Sequence, residues 1–257
     1  MAIFGKNESN SETSLVLAGR CALVTGGGRG IGAAVAEELL RRGARVFLCA
    51  RTASEVEAVV TRLQAKYGTE KISGVSFDLE RAEALPTLLD QAEAAFGRPS
   101  DLLINNAAIG YVIPFLETPP EKLREEWDQM SAINIRAPLL LAHEFMRRSL
   151  GGGAIVNLGS LGGIRGTEKF PGLTPYVATK FAVAGLTEAL AVEGRSIGVR
   201  VNAVAPGAVD TDMLRKAAPH LKTETGPRDI AKVIADLCDP IESKSVTGMI
   251  FEIHSNL

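Results

Sequence analysis

The sequence predicts an α/β fold: a doubly wound parallel sheet of about seven strands with helices on both faces. Short apolar, β-branched runs alternate strictly with helix-length segments, which is the pattern of right-handed βαβ crossovers. Several of these runs are apolar nearly throughout, as strands buried on both faces of a parallel sheet must be. A cluster of glycines stands between the first run and the first helical pattern, where such a fold turns from strand to helix.

In chain order, strands are predicted over residues 21–25, 45–49, 71–77, 102–105, 154–158, 199–205 and 249–253. Helices are predicted between them over 31–42, 53–66, 84–96, 121–149, 176–196 and 227–237. Residues 1–14 are rich in Asn, Ser, Glu and Thr, bury too little to fold, and read as a mobile tail. No repeat, linker or shift of composition interrupts the rest, so residues 15–257 are expected to form one domain.

Composition excludes several classes. Lys and Arg number 28 and Asp and Glu 30 among 257 residues. A net charge of -2 leaves no electrostatic footprint for nucleic acid or an anionic membrane. No stretch approaches the ~20 apolar residues that span a bilayer. The first residues lack the apolar core of an export signal. Cys21, Cys49 and Cys238 are odd in number and widely spaced, which suits reduced thiols in a cytoplasmic protein better than disulfides or zinc. His143, His220 and His254 are equally scattered, and no metal site is expected.

The first strand runs into Thr25-Gly26-Gly27-Gly28-Arg29-Gly30-Ile31-Gly32, and a helical pattern starts at once. Glycine lets the backbone turn sharply and approach a pyrophosphate, whose charge is favoured at a helix N-terminus with free N–H donors. Alone this is a flexible turn; between a strand and a helix in the first βαβ unit it points to nucleotide binding. An NAD site places an acid at the end of the second strand, but here that strand ends Leu48-Cys49-Ala50-Arg51. An acid would repel a 2′-phosphate, whereas Arg51 offers it a planar, permanently charged fork and Arg29 a second positive charge. The competing reading is two solvated surface arginines. NADP(H) is the expected cofactor.

Tyr176-Val177-Ala178-Thr179-Lys180 opens a helix behind Pro175. Side chains four apart share a face, so the phenol and the ammonium address one volume. A free phenol titrates near 10, too high for proton exchange near neutrality. An ammonium ~4 Å away at an effective dielectric of ~20 is worth up to roughly 4 kcal/mol, enough to bring the phenol to between about 7 and 8. Ser160 follows the fifth strand at its C-terminal end, the rim where open α/β sheets bind ligands, and its hydroxyl suits a carbonyl oxygen gathering charge.

The glycine spacing Thr-Gly-x-x-x-Gly-x-Gly resembles the short-chain dehydrogenase/reductase family. So do Asn105-Asn106-Ala107-Ala108, Gly159-Ser160, the Tyr176–Lys180 pair and Pro206-Gly207-Ala208-Val209-Asp210-Thr211, and together they extend the resemblance over roughly residues 15–253. It implies a Rossmann fold that binds dinucleotide through Thr25, Gly26, Gly28, Arg29, Gly30, Ile31 and Gly32. It implies Asp78 and Leu79 beside the adenine, Asn106 and Ala107 beneath the adenosine ribose, and Pro206, Gly207, Val209 and Thr211 against the nicotinamide carboxamide. Ser160, Tyr176 and Lys180 become catalytic, Lys180 also gripping the nicotinamide ribose, and Asn134 anchors a proton-relay water. The pattern is similar to NADP(H)-preferring, 3-oxoacyl-carrier-protein reductase-like members.

One departure stands out. The family serine usually lies thirteen residues before the tyrosine; here Ser160 lies sixteen before it and the usual position is Gly163. Ser160 is therefore assigned, with 161–175 a loop lengthened by about three residues and Thr167 a weaker candidate. Tyr111, Phe115, Leu116, Leu161 and Phe170 are expected to border an apolar pocket for a small carbonyl or alcohol substrate, under a short covering segment at 210–226. The helices 121–149 and 176–196 resemble those that pair family subunits into a homodimer or homotetramer, and 249–253 reads as an edge strand. The alternatives are an NADP(H)-binding regulatory or sensor protein with little turnover, and the sugar epimerase/dehydratase branch, whose glycine spacing and length fit poorly.

Overall fold

The computed structural model describes residues 15–218 and 220–255, so the tail read at 1–14 lies outside them. Seven strands form one parallel sheet: β1 (Cys21–Thr25), β2 (Arg45–Ala50), β3 (Ile72–Ser76), β4 (Leu102–Asn105), β5 (Gly153–Leu158), β6 (Val199–Pro206) and β7 (Ile250–Ile253). Their order is β3-β2-β1-β4-β5-β6-β7, and every pairing is parallel. Each predicted strand is present, and β7 is the expected edge strand.

The helices are α1 (Gly30–Arg41), α2 (Ala53–Tyr67), α3 (Leu85–Phe96), α4 (Pro120–Ser131), α5 (Ala137–Arg148), α6 (Thr174–Gly194), α7 (Asp212–Ala217) and α8 (Pro227–Cys238). Successive strand residues point to opposite faces, and each face carries its own core. Val24 and Leu48 pack with Leu39 of α1, Leu63 of α2 and Ile234 of α8. Leu23, Leu103 and Ile155 pack with Leu88 of α3, Phe145 of α5 and Leu190 of α6. Burial from both sides is why these strands read as continuous apolar runs.

Two predicted elements change. The single helix over 121–149 is three segments: α4, a π-helical turn over Ala132–Arg136, and α5. The cause is Pro138, whose missing N–H cannot bond the carbonyl four residues back. The ladder steps to wider spacing, with the Ala137 N–H on the Ala132 carbonyl. The segment after β6, read as a short cover, contains α7, whose N-cap Thr211 accepts a bond from the Leu214 N–H.

The strand order reverses between β1 and β4, and a crevice opens beyond their C-terminal ends. Among the described residues, no helix is long and apolar enough to cross a membrane. Among the same residues, no group of three or more His, Cys, Asp or Glu is placed to hold a metal ion.

Candidate active site

The crevice is a cavity of about 1150 Å³ reaching from Arg51 to the start of α6. Its floor is the glycine turn, fixed by side chains at the end of β1 and just after β4. The Thr25 hydroxyl donates to the Ile104 carbonyl at 3.2 Å and accepts from the N–H groups of Asn106 and Ala107, both at 3.1 Å. The Asn106 amide donates to the carbonyls of Thr25 at 2.8 Å and Gly26 at 3.1 Å. Two glycines are obligatory. A Cβ on Gly32 would lie 2.2 Å from the Gly26 carbonyl oxygen, and Gly26, at φ +66°, would place one 2.8 Å from the Ala107 Cα. Helix α1 begins at Gly30, so the unpaired N–H groups of its first turn belong to residues lining the cavity. This cradle fits a pyrophosphate.

At one end lie Arg51, Asp78 and Leu79, as expected. The Arg51 guanidinium is exposed and has no partner among the described residues. Arg29 does have one: it donates to Glu55 at 3.1 Å. Glu55, in the first turn of α2, also lines the cavity and is absent from the sequence expectation.

At the other end, Pro175 stands in the first turn of α6 and sets the start of the helix carrying Tyr176 and Lys180. The Lys180 Nζ lies 5.7 Å from the centre of the Tyr176 ring and donates to the Leu158 carbonyl at 2.7 Å. Ser160 lies close enough to the Tyr176 phenol to lower its pKa, and its Oγ accepts from the Gly162 N–H at 3.1 Å. The competing positions are closed. A Cβ on Gly163 would lie 2.5 Å from the Lys180 carbonyl carbon and oxygen, so no side chain fits there. Thr167 donates its hydroxyl to the carbonyls of Leu161 and Ile164, and Lys169 clamps the same loop. Gly110 has no room for a side chain either, because its Cβ would lie 2.8 Å from the Tyr176 ring.

One electrostatic expectation is corrected. Burial holds the Tyr176 phenol above its ordinary value, with Ser160 pulling it down, so the shift runs opposite to the predicted fall toward neutrality. Burial also lowers Lys180 to about 8. Desolvation works against the charged form of both groups.

Asn134 sits in the π-helical turn and does not line the cavity. Its amide NH₂ donates to the Ile109 carbonyl at 2.8 Å and the Thr179 hydroxyl at 3.0 Å, and its oxygen accepts from the Ile109 N–H at 2.9 Å. Thr179 in turn donates to the Tyr176 carbonyl at 2.7 Å. Asn134 thus ties the loop after β4 to α6.

Pro206, Gly207, Val209 and Thr211 line the wall after β6, joined by the unexpected His254 and Ser255 from the C-terminal segment. The Gly207 N–H donates to the Ile253 carbonyl at 2.9 Å, which draws that segment in. Of the apolar candidates, Tyr111, Leu161 and Phe170 line the cavity. Phe115 and Leu116 do not: their loop turns outward and Leu116 is 96% exposed. Val112, Leu173, Met213, Leu214 and Leu221 complete the apolar wall.

A short chain dehydrogenase family model matches residues 20–222. The chain belongs to that family, and it is an NAD(P)(H)-dependent oxidoreductase. It is 36% identical, over 92% of its length and 94% of the relative's, to a galactitol 2-dehydrogenase (L-tagatose-forming) of Cereibacter sphaeroides. It is 33% identical to a 3-oxoacyl-acyl-carrier-protein reductase of Haemophilus influenzae, over 93% of its length and 98% of the relative's. A short chain dehydrogenase from Burkholderia cenocepacia in complex with NADP superposes with a TM-score of 0.82 at 31% identity, covering 93% of this chain and 97% of that one.

Proposed function

We propose that residues 15–257 form one catalytic domain that reversibly transfers a hydride between NADP(H) and a carbonyl or alcohol substrate. One observation carries this: Ser160, Tyr176 and Lys180 converge at one end of a cavity whose other end holds Arg51 and Arg29 beyond the glycine cradle. The NADP complex of the Burkholderia relative supports the choice of cofactor.

When bound, the nicotinamide supplies or accepts the hydride, leaving positioning and proton control to the protein. Ser160 donates a hydrogen bond to the substrate oxygen as charge builds on it. Tyr176 gives its proton to the forming alkoxide, or takes one back in the reverse direction. Lys180 faces the same volume and stabilises negative charge on the phenol oxygen as the proton leaves. Asn134 holds Ile109 and Thr179 in register, so the tyrosine helix and the loop beside it stay fixed, and it supports the water chain that returns the proton.

The substrate class we favour is an uncharged, moderately apolar carbonyl compound, because Tyr111, Leu161, Phe170 and Leu173 line the mouth beside Tyr176. A 3-oxoacyl thioester belongs to the same reading. We further propose a cytoplasmic homodimer or homotetramer, supported by the exposed Trp127 on α4, Leu139 on α5 and Phe181 and Val192 on α6. Sedimentation giving a monomer would remove the assembly.

The test is NADPH oxidation across ketones, aldehydes, oxoacyl thioesters and quinones, run with the parent and Tyr176→Phe. We expect turnover with one of these classes, nearly abolished by the substitution while NADPH still binds. Unchanged turnover in the variant would overturn the assignment of Tyr176.

A further inference from the structure

We propose that Glu55 sets how strongly the site discriminates between NADPH and NADH, by holding Arg29 in an ion pair that a 2′-phosphate must break. The proposal rests on the cofactor reading above and concerns a residue that reading does not use.

Glu55 lines the cavity beside Ala50, Arg51 and Thr52. Its Oε1 accepts from the Arg29 Nη1 at 3.1 Å. A Cβ on Gly28 would lie 3.0 Å from the Glu55 Cβ and 3.3 Å from its Oε2, so the carboxylate rests over the glycine turn itself. Thr52-Ala53-Ser54-Glu55 has the form of a capping box, which would turn the glutamate back onto its own helix. The structure does otherwise: Thr52 makes no side-chain cap bond and the carboxylate faces Arg29. Asp212 of α7 also lines the cavity; the Arg215 guanidinium lowers its pKa, with a small contribution from Arg29. Of the two cations at this rim, Arg51 is free among the described residues and Arg29 is already engaged.

The consequence follows from charge. A phosphate monoester carries between one and two negative charges near neutrality, roughly -1.5 to -2. It gains Arg51 outright, but it gains Arg29 only by displacing Glu55, and it then sits beside a displaced carboxylate. A ribose with free hydroxyls brings no charge, and the carboxylate offers it a hydrogen-bond acceptor. Glu55 therefore weakens NADPH binding and leaves NADH binding intact or improved.

The experiment measures dissociation constants for NADPH and NADH by nicotinamide fluorescence, at low and high ionic strength, for the parent, Glu55→Gln and Arg51→Ala. Gln keeps the side-chain volume and removes the charge. We expect Glu55→Gln to tighten NADPH by roughly five- to tenfold at low salt, the size suited to one partly exposed like charge. NADH should stay level or weaken, and the gain should shrink at high salt. An NADPH constant that is unchanged, weaker or insensitive to salt in Glu55→Gln, while Arg51→Ala still loses NADPH selectively, overturns the role of Glu55 and leaves the cofactor reading standing. If Arg51→Ala weakens both cofactors alike, the 2′-phosphate reading falls and the proposal with it.

Discussion

Replacing Lys180 with methionine should stabilise the cofactor-free protein while destroying its activity. Lys180 is 3% exposed, and its Nζ donates to the Leu158 carbonyl at 2.7 Å. Burial lowers it from an ordinary 10.5 to about 8. At ~1.36 kcal/mol per pH unit this corresponds to about 3 kcal/mol of native-state destabilisation whenever the lysine is charged in both states. The sign follows from proton binding. Below about pH 8 folded and unfolded chains both hold the proton, and the full penalty is present. Between about 8 and 10.5 the folded protein loses its proton first, the unfolded chain binds more protons, and stability rises with pH. Methionine carries no charge to desolvate but forfeits the bond to Leu158, worth about 1 kcal/mol. Lys180→Met should therefore be about 2 kcal/mol more stable than the parent at pH 7, with the advantage gone by about pH 10 and the parent slightly the more stable at about pH 10.5. Burial raises Cys49 and Cys238 to about 12 and raises Tyr176, which erodes stability at high pH in both proteins; the difference between them isolates the lysine. The assay is urea unfolding at fixed protein concentration from pH 6.5 to 10.5, without cofactor. A difference that does not vary with pH, or a parent more stable than the variant at pH 7, refutes the reasoning.

Three further substitutions test the Tyr176 end of the cavity by steady-state kinetics and cofactor titration. Ser160→Ala should lower kcat on the order of 100- to 1000-fold, the usual cost of losing an oxyanion donor. Adding Gly163→Ser should not restore it, because the new Cβ would meet the Lys180 backbone at 2.5 Å; recovery of kcat would reassign the serine position. Gly110→Ala should lower kcat on the order of 10- to 100-fold through displacement of Tyr176, because its Cβ would lie 2.8 Å from the ring. NADPH affinity should be nearly unchanged, and a loss confined to affinity would place Gly110 in the cofactor wall instead.

What could be read in advance was what local sequence determines. Leu23 and Val24 pack on opposite cores, so the apolar run that marks β1 is a direct trace of two-sided burial. Tyr176 and Lys180 lie one turn apart on one helix, and that spacing alone brings them together. Gly26 and Gly32 announce themselves because no other residue fits where they stand. The misreadings have tertiary causes or conflicting local cues. Pro138 was visible, but its effect depended on the carbonyl it left without a donor, and the apolar rhythm on either side suggested one helix. Glu55 has the sequence position of a helix cap and is claimed instead by an arginine 26 residues away. The shift on Tyr176 could not be read from a neighbouring ammonium, because its direction is set by desolvation, which belongs to the folded environment.

The same distinction explains why the reaction is better defined than its substrate. The residues we assign to cofactor and proton chemistry stand at strand ends and in the first turns of α1 and α6, where periodicity and glycine positions constrain the chain. The rest of the cavity wall, where we place the substrate, comes from the segments after β4, β5 and β6. There Phe115 and Phe170 are equally apolar by sequence, yet Phe170 lines the cavity and Phe115 does not. The difference lies in anchoring. Near Phe170, the Gly172 carbonyl accepts from the Ile113 N–H at 2.8 Å and Lys169 clamps the loop from within. The same bond holds Ile113, but beyond it the Phe115 loop is tied, among the described residues, only by bonds from Glu117 and Thr118 to the Pro114 carbonyl, and it turns outward there. Changing the specificity of this protein is therefore a matter of the loop at 164–172 and the wall built by α7; Gly162 and Gly163 must stay, because they pack against Ser160 and the Lys180 backbone.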